Sequence, residues 1–454
     1  MDKSNGAGGN LQLKRVLTLK YLIAFGLAYL APTVVFNYYG IITELTGGMM
    51  ALAYMITTVA LFFTAFSYTK MVQAFPVAGS AYTYVQRAVN PYLGFFTGWI
   101  MLLDYLLLPM VCYLLFGIYM NEFLPVVPIT VWVVGAAVMG ALINIVGVKT
   151  AGRVNTVIIA AQILFSFAFI IIIIRYVSMG GGSGSLFVSE AIFNAETFER
   201  SSLMWGASIL AVSFLGFDAV STLAEETKDP EKTISKAILI IAVGAGLLFS
   251  VIAYFSQIAW PNAYSEIDNV DTGIFELLYT LGGDTLSTIF LITDNLATFI
   301  CAMAGLAAVS RILYGMGRDG ILPKKFFGKL SPKFQTPVNN IILTSIIALS
   351  ALFYSDNLMG AASLVSFGAL TGFALVNYSV INHYFIRGNR RQGADLFNYL
   401  IMPGIGVIIC VILWLSIESV AKILGGVWIL IGIIYIITYA LILKKDLKDF
   451  KLEE

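Results

Sequence analysis

Three carboxylates, Asp104, Asp218 and Asp294, stand inside long apolar stretches of this 454-residue chain. A charged side chain at the centre of a membrane span costs at least ~2.5–3.5 kcal/mol on insertion scales, so each acid needs something to offset that cost. No Lys or Arg lies within the core of any apolar stretch. The acids must therefore be protonated, hydrogen-bonded or matched by a cationic substrate.

Asp218 directly follows Ser213-Phe214-Leu215-Gly216-Phe217, where a Gly interrupts an apolar run, and Pro32 interrupts the first such run in Tyr29-Leu30-Ala31-Pro32-Thr33. A helix broken inside a membrane leaves N–H and C=O groups unpaired, which is tolerable only where protein, water or a ligand satisfies them. Both breaks are thus candidate binding sites. The plain alternatives are a Pro kink bridged by a neighbouring Ser or Thr, and a capping acid at Asp218 held by the positive end of a helix dipole. Tyr29, Tyr105, Tyr113, Phe214 and Phe217 are available as cation-π walls or a gate, or as ordinary packing in a chain that is 13% aromatic. His383, the only His, is read as an interfacial side chain or a proton relay. Glu225, Glu226, Lys228, Asp229 and Lys232 read as a solvated loop with some gate salt bridges.

The elements that must position these residues are membrane helices. Hydrophobic residues make up 59% of the chain and charged ones 12%, and apolar stretches of twenty or more residues recur from end to end, the composition of an all-α polytopic membrane protein. Twelve spans are expected, at about 19–44, 48–75, 92–122, 127–147, 152–177, 202–225, 234–259, 283–314, 337–354, 359–386, 398–417 and 423–443. The connections Ser178 to Arg200 and Gly315 to Pro337 read as loops. With residues 1–18 and 444–454 as cytoplasmic tails, only Arg175, Arg200 and Lys422 of the 27 Lys and Arg residues fall outside, which supports an even span count and cytoplasmic termini. The interrupted first and sixth spans are separated in a way that suggests a five-plus-five inverted repeat, 19–178 and 202–386, followed by two extra helices at 398–443. Asp104 and Asp294 then fall near the middle of the third and eighth spans. Paired broken helices point to a secondary transporter with its site at the breaks.

Other classes find little support. A net charge of +1 offers no field for nucleic acid. Cys112, Cys301 and Cys410 lie in apolar segments and read as buried thiols. Met1 to Lys20 lacks the pattern of a cleaved signal peptide, so the first span is expected to direct insertion. The Gly-rich stretch Met179 to Ser185 lacks the Lys-Ser/Thr of a phosphate loop, no Cys or His set suits a metal, and no nucleophile has a His base nearby. No catalytic residue, metal or cofactor is expected.

Phe75-Pro76-Val77-Ala78-Gly79-Ser80-Ala81-Tyr82-Thr83-Tyr84, the run SFLGFDAVSTLAEETKDPEKTI from Ser213 to Ile234, and RILYGMGRDGILP from Arg311 to Pro323 resemble the amino acid/polyamine/organocation superfamily. Within it, LAYLAPTVVF, GWIMLLDYLLLP and LITDNLATFICAMAGLAAVSRILYGMGRDGILP look most like the bacterial putrescine importers. The resemblance implies the inverted-repeat fold of that superfamily, a substrate site formed by Ala31 to Thr33 and Phe214 to Asp218, and uptake driven by the proton gradient. Amino-acid-transporting relatives carry a Gly-x-Gly-like turn in the first span whose amides hold the substrate carboxylate. Here the match is Ala31-Pro32-Thr33, and Pro has no N–H to donate, which fits a diamine. Some proton-coupled relatives use a Lys in the fifth span where this chain has Gln162, so the proton carrier falls to Asp218, Asp104 or Asp294.

The expectation is therefore a cell-membrane importer of putrescine or a similar organic cation by proton symport, a monomer or homodimer in lipid. Ala31, Pro32, Thr33, Asp104, Tyr105, Phe214, Gly216, Phe217, Asp218 and Asp294 are expected to line its site. The rivals are a proton-coupled amino acid permease of the same fold and a non-transporting membrane sensor.

Overall fold

Start signals in the chain set where the long helices begin. Asn90 caps a helix at Pro91–Phe123 by accepting from the N–H of Leu93 at 2.8 Å, with Pro91 in the first turn where a missing N–H costs nothing. Asn357 does the same for Leu358–Val380 through Gly360, also at 2.8 Å. The computed structural model describes residues 15–77, 80–146, 151–318, 322–355 and 357–443. Among them the secondary structure is helical, apart from an isolated parallel bridge between Leu17 and Thr227.

The first span is made of α1 (Leu19–Leu30), α2 (Val34–Asn37) and α3 (Tyr39–Leu45). There follow α4 (Met50–Ala74), α5 (Ala81–Ala88), α6 (Pro91–Phe123), α7 (Ile129–Val146) and α8 (Ala151–Ser178). The second half contains α9 (Arg200–Ile209), 3-10 segments at Leu210–Phe214 and Ala219–Glu226, α10 (Pro230–Ala259), α11 (Ala263–Glu266) and α12 (Gly273–Arg318). The remainder comprises α13 (Lys324–Phe327), α14 (Val338–Ala348), α15 (Leu358–Val380), α16 (Ala394–Leu396), α17 (Met402–Ser416) and α18 (Ser419–Leu443).

Eleven of the described helical stretches are long and apolar enough to cross a membrane, and Val338–Tyr354, where a ninth span is expected, is a shorter apolar helix that ends in 3-10 winding. Two connections differ from the sequence reading. The stretch before Pro91 forms α5, and Gly315 to Pro337 carries α12 on to Arg318 and includes the single turn α13. Gly283, at φ 61°, bends α12 close to where the eighth span is expected to begin.

α6 lies at the centre, with 94% of its apolar window buried, whereas the windows of α7 and α18 are 22% and 17% buried and face the surroundings with residues such as Leu142 and Leu430. Around α6 stand α12, α15 and α14, while α4 packs along α10. The last helix docks by a reciprocal clasp: the indole N–H of Trp99 donates to the Trp428 carbonyl at 2.9 Å, that of Trp428 donates to the Trp99 carbonyl at 2.8 Å, and the rings stack at 4.8 Å. At the opposite edge of the chain's path, the amides of Val16 and Leu17 both donate to the Glu226 carbonyl. The entry to the first span and the exit from the sixth therefore share one end of the bundle. Cys112, Cys301 and Cys410 are free and buried.

Candidate functional site

The first span loses its helical path at Ala31, which takes φ 54° and ψ 97°, an uncommon conformation for a residue with a side chain. Pro32 accounts for the loss of helix there, since its ring biases the preceding residue away from the α region, though that bias favours extended backbone and not the positive φ that Ala31 adopts. Ala31 still donates to Leu27 at 3.0 Å, and Val34 donates to the Ala31 carbonyl at 2.9 Å. The remaining amide of the turn, on Thr33, reaches across to α8: its N–H donates to Oε1 of Gln162 at 3.2 Å, and its hydroxyl donates to the same oxygen at 3.0 Å. Thr33 and Gln162 are both buried.

The second interruption is longer. α9 tightens into 3-10 winding at Leu210, Leu215 turns extended, and Gly216 takes φ 113°, a conformation that L side chains rarely adopt. Neighbouring spans supply hydroxyls to the carbonyls disturbed by this change. Thr57 of α4 donates to Ala207 at 2.8 Å, sharing its hydrogen with the Ala53 carbonyl of its own helix, and Ser366 of α15 donates to Ile209 at 3.1 Å. Asp218 follows with its side chain making no cap hydrogen bond to the 3-10 segment it precedes. Backbone N–H groups of Gly216, Asp218 and Ala219 nonetheless surround its carboxyl group, where the turn concentrates positive backbone dipole.

The two interruptions meet. A Cβ placed on Gly216 would stand 2.6 Å from the ring of Tyr29, so only Gly allows that approach. The carbonyl of Tyr29 accepts from the Cys301 thiol of α12 at 3.4 Å. Asp104, Tyr29, Tyr68 and Tyr105 all lie within electrostatic reach of Asp218, forming one group of two acids and three phenols. α15 closes over it: a Cβ on Gly368 would lie 3.2 Å from the Asp104 amide. Asp294 belongs to a polar group with other partners. Thr298 donates to its Oδ2 at 3.3 Å, Thr33 and Asn37 stand beside its carboxyl, and Oδ1 is buried without a hydrogen-bond partner. Tyr119 in turn donates to Asn37 Oδ1 at 3.2 Å.

The ten residues singled out from sequence thus do not share one surface. Ala31, Pro32, Asp104, Tyr105, Gly216 and Asp218 gather with Tyr29 at the touching breaks, and Phe217 flanks them by packing edge-on to Tyr68 at 5.5 Å. Thr33 turns towards Asp294 and Gln162. Phe214 points away, its ring against Phe249 at 5.6 Å, and Tyr113 packs under Gly140 of α7. His383 lies partly exposed against Phe75 and Tyr384. Tyr68, Asn37 and Thr298 were not expected at the site. Nothing local marks a Tyr or Thr in an apolar helix, where a hydroxyl commonly bonds its own preceding turn.

The buried polar and charged side chains among the described residues include Asp104, Asp218 and Asp294 but no Lys or Arg. Two acids and a phenol wall with no protein cation suit a positively charged guest.

Comparison with known proteins agrees with an architecture of this kind. A family model described as amino acid permease matches residues 22–398. The chain is 37% identical over 427 residues, 94% of each chain, to a low-affinity putrescine importer of Escherichia coli strain K12. It is 25% identical to a branched-chain amino acid permease of Bacillus subtilis, covering 97% of this chain and 96% of that one, and 25% identical to a methylthioribose transporter of the same organism, covering 94% of each. With a permease match across most of its length, a bundle of apolar helices, and buried acids at two touching interruptions, the chain belongs to the amino acid permease family and is a multi-pass transporter of the cell membrane.

Proposed function

We propose that this transporter imports putrescine or a similar small diamine by proton symport, with alternating access about the paired interruptions and both termini in the cytoplasm. The observation that carries the reading is the set of three buried aspartates with no buried Lys or Arg among the described residues. A buried charge without a partner is costly, and a dication that enters from water supplies the partner that the protein omits. Asp104 and Asp218, near Tyr29 and Tyr105, receive the ammonium groups, and Phe217 closes the wall behind Tyr68. Asp294, hydrogen-bonded by Thr298 and flanked by Thr33 and Asn37, carries the coupling proton beside the first-span break. The similarity to a putrescine importer over 94% of the chain supports the cargo.

A second reading keeps the scaffold and makes the cargo an amino acid, as the name of the branched-chain permease relative suggests. The two separate in a thermal-shift and uptake experiment on purified protein, since a ligand that binds the folded state raises its stability by mass action. Putrescine is expected to stabilise the protein and to accumulate in proteoliposomes with an inward proton gradient. Stabilisation by Leu, Ser or Glu and none by putrescine would reverse the cargo assignment. Binding without accumulation would instead mark a sensor.

A further inference from the structure

The ends of α4, α15 and α17 meet in a patch of aromatic rings and cations. α15 runs on in π winding over Ile381–Arg387, and the same winding at Phe397–Ile401 leads into α17. Tyr384 of the first segment and Tyr399 of the second stack with ring centroids 4.3 Å apart and planes 13° from parallel. Tyr384 donates its hydroxyl hydrogen to the Lys70 carbonyl at 3.1 Å, which ties α4 to the stack. The guanidinium carbon of Arg390 lies 5.4 Å from the Tyr384 ring centre and 5.8 Å from that of Tyr399, and its Nη1 donates to the Tyr399 hydroxyl at 3.3 Å. Lys70 Nζ stands 5.8 Å from the same Tyr399 ring and 4.9 Å from that of Phe66. One ring thus carries two cations. Arg391, exposed beside Arg390, donates to the Phe385 carbonyl at 3.2 Å, and Arg387 donates to the Val89 carbonyl. Among the described residues, no carboxylate stands within ion-pair distance of Lys70 or of these three arginines. Asp395 lies within electrostatic reach of Lys70, and Glu231 within that of Tyr384, so positive charge is in excess.

We propose that this patch binds the phosphate headgroup of an anionic phospholipid, with Lys70 and Arg390 on the phosphate and the Tyr399 hydroxyl donating beside them. The three helices that meet here are long and apolar enough to span a membrane, and the patch lies at their ends, where bilayer headgroups stand. Ile386, Leu396, Phe397 and Ile401 expose apolar surface on the same two π-wound segments and α16. Acyl chains can cover such surface, and a dissolved anion cannot. A loose excess of basic residues is enough to orient a span, but here the cations are fixed on a stacked pair of rings between helices, the form in which acidic headgroups are recognised. A lipid held there bridges α4 and α15, whose Thr57 and Ser366 support the sixth-span interruption. Nothing in the patch depends on which cargo the interruptions take.

The experiment titrates dioleoyl phosphatidylglycerol into the purified, delipidated full-length protein in neutral detergent and reads the rise in melting temperature, with dioleoyl phosphatidylcholine and inorganic phosphate as parallel probes. Phosphatidylglycerol is expected to stabilise wild type, and the other two to do so little. In Lys70→Gln/Arg390→Gln the apparent affinity for phosphatidylglycerol should fall at least about tenfold, because two cations leave the phosphate. Arg390→Gln/Arg391→Gln alters only exposed side chains and should weaken binding by about threefold or more. Lys325→Gln/Lys329→Gln removes two exposed charges on and just after α13 and should stay within about twofold of wild type. Stabilisation by phosphatidylcholine or by inorganic phosphate as strong as that by phosphatidylglycerol overturns the proposal. An equal fall in the Lys325→Gln/Lys329→Gln control does so too, since it marks a diffuse field rather than a site. Unchanged affinity in either patch variant that folds is equally decisive against it. Failure of both patch variants to fold would make these cations structural ties and likewise overturn the site.

Discussion

The Gly216 backbone lies directly against Tyr29: a Cβ on Gly216 would stand 2.6 Å from Cδ1 and 2.8 Å from Cβ of that ring. Tyr29 sits two residues before the Ala31 turn, so this one contact joins the interruptions of the first and sixth spans. Gly216→Ala must place a methyl group into the ring at a backbone φ of 113°. Strain of about 1–3 kcal/mol from the backbone, together with an overpacking cost of similar size, is expected to separate the two turns. Reconstituted Gly216→Ala should melt several degrees lower and lose putrescine uptake. Wild-type transport by this variant would show that the contact is dispensable.

Asp218 and Asp104 are expected to hold the guest as a pair. Asp218→Asn and Asp104→Asn keep size and hydrogen-bonding groups while removing charge, and Asp218 makes no cap hydrogen bond whose loss would unravel the segment after it. Loss of one partner from a buried charge pair costs about 2–5 kcal/mol, so putrescine affinity should fall by at least about thirtyfold in each variant while the melting temperature is maintained. Binding measurements on purified protein read this directly. Near-normal accumulation by Asp218→Asn would reassign that carboxyl to a structural role.

Asp294 should separate coupling from binding. Its partners are Thr298, Thr33 and Asn37 rather than the phenols around Asp218, and one of its oxygens has no hydrogen-bond partner. Asp294→Asn mimics a permanently protonated acid. The variant is expected to bind putrescine within a few-fold of wild type and to exchange it across the membrane, yet to lose concentrative uptake driven by a pH gradient. A response to the gradient that persists in Asp294→Asn would move the proton to Asp104 or Asp218.

Topology is open to chemical labelling, because the native cysteines are buried. Phe187, 92% exposed in the connection after α8, and Lys329, exposed after α13, are separated by α9, α10 and α12 and should face opposite sides. With both termini cytoplasmic, Phe187→Cys reacts with an impermeant maleimide from outside intact cells and Lys329→Cys only after permeabilisation. Labelling of both from one side would change the number of crossings between them.

The chain by itself determined that this is a helical membrane protein, where most spans run, and where two of them lose their helical path. These properties are local. Apolarity over about twenty residues specifies a span, the Pro32 ring disfavours an α conformation at Ala31, and Gly216 admits a φ that other residues avoid. The three intramembrane acids were legible for the same reason, since an Asp among apolar neighbours is conspicuous in one dimension. Even so, local logic suggested a capping role for Asp218 that its side chain does not take up, and it left the stretch before Pro91 without the helix it forms.

Only the tertiary structure decided how these residues divide. Gln162 meets Thr33 across 129 positions of sequence, Cys301 meets the carbonyl of Tyr29 across 272, and Asp294 has Thr298, Thr33 and Asn37 for neighbours where Asp104 and Asp218 share phenols. Phe214 and Phe217, three residues apart, end in different surroundings because the turn at Gly216 rotates one into the packing around Phe249 and the other towards Tyr68. Helix register and crossing position settle such meetings, and both follow from side-chain packing summed over the whole bundle rather than from any short run of residues.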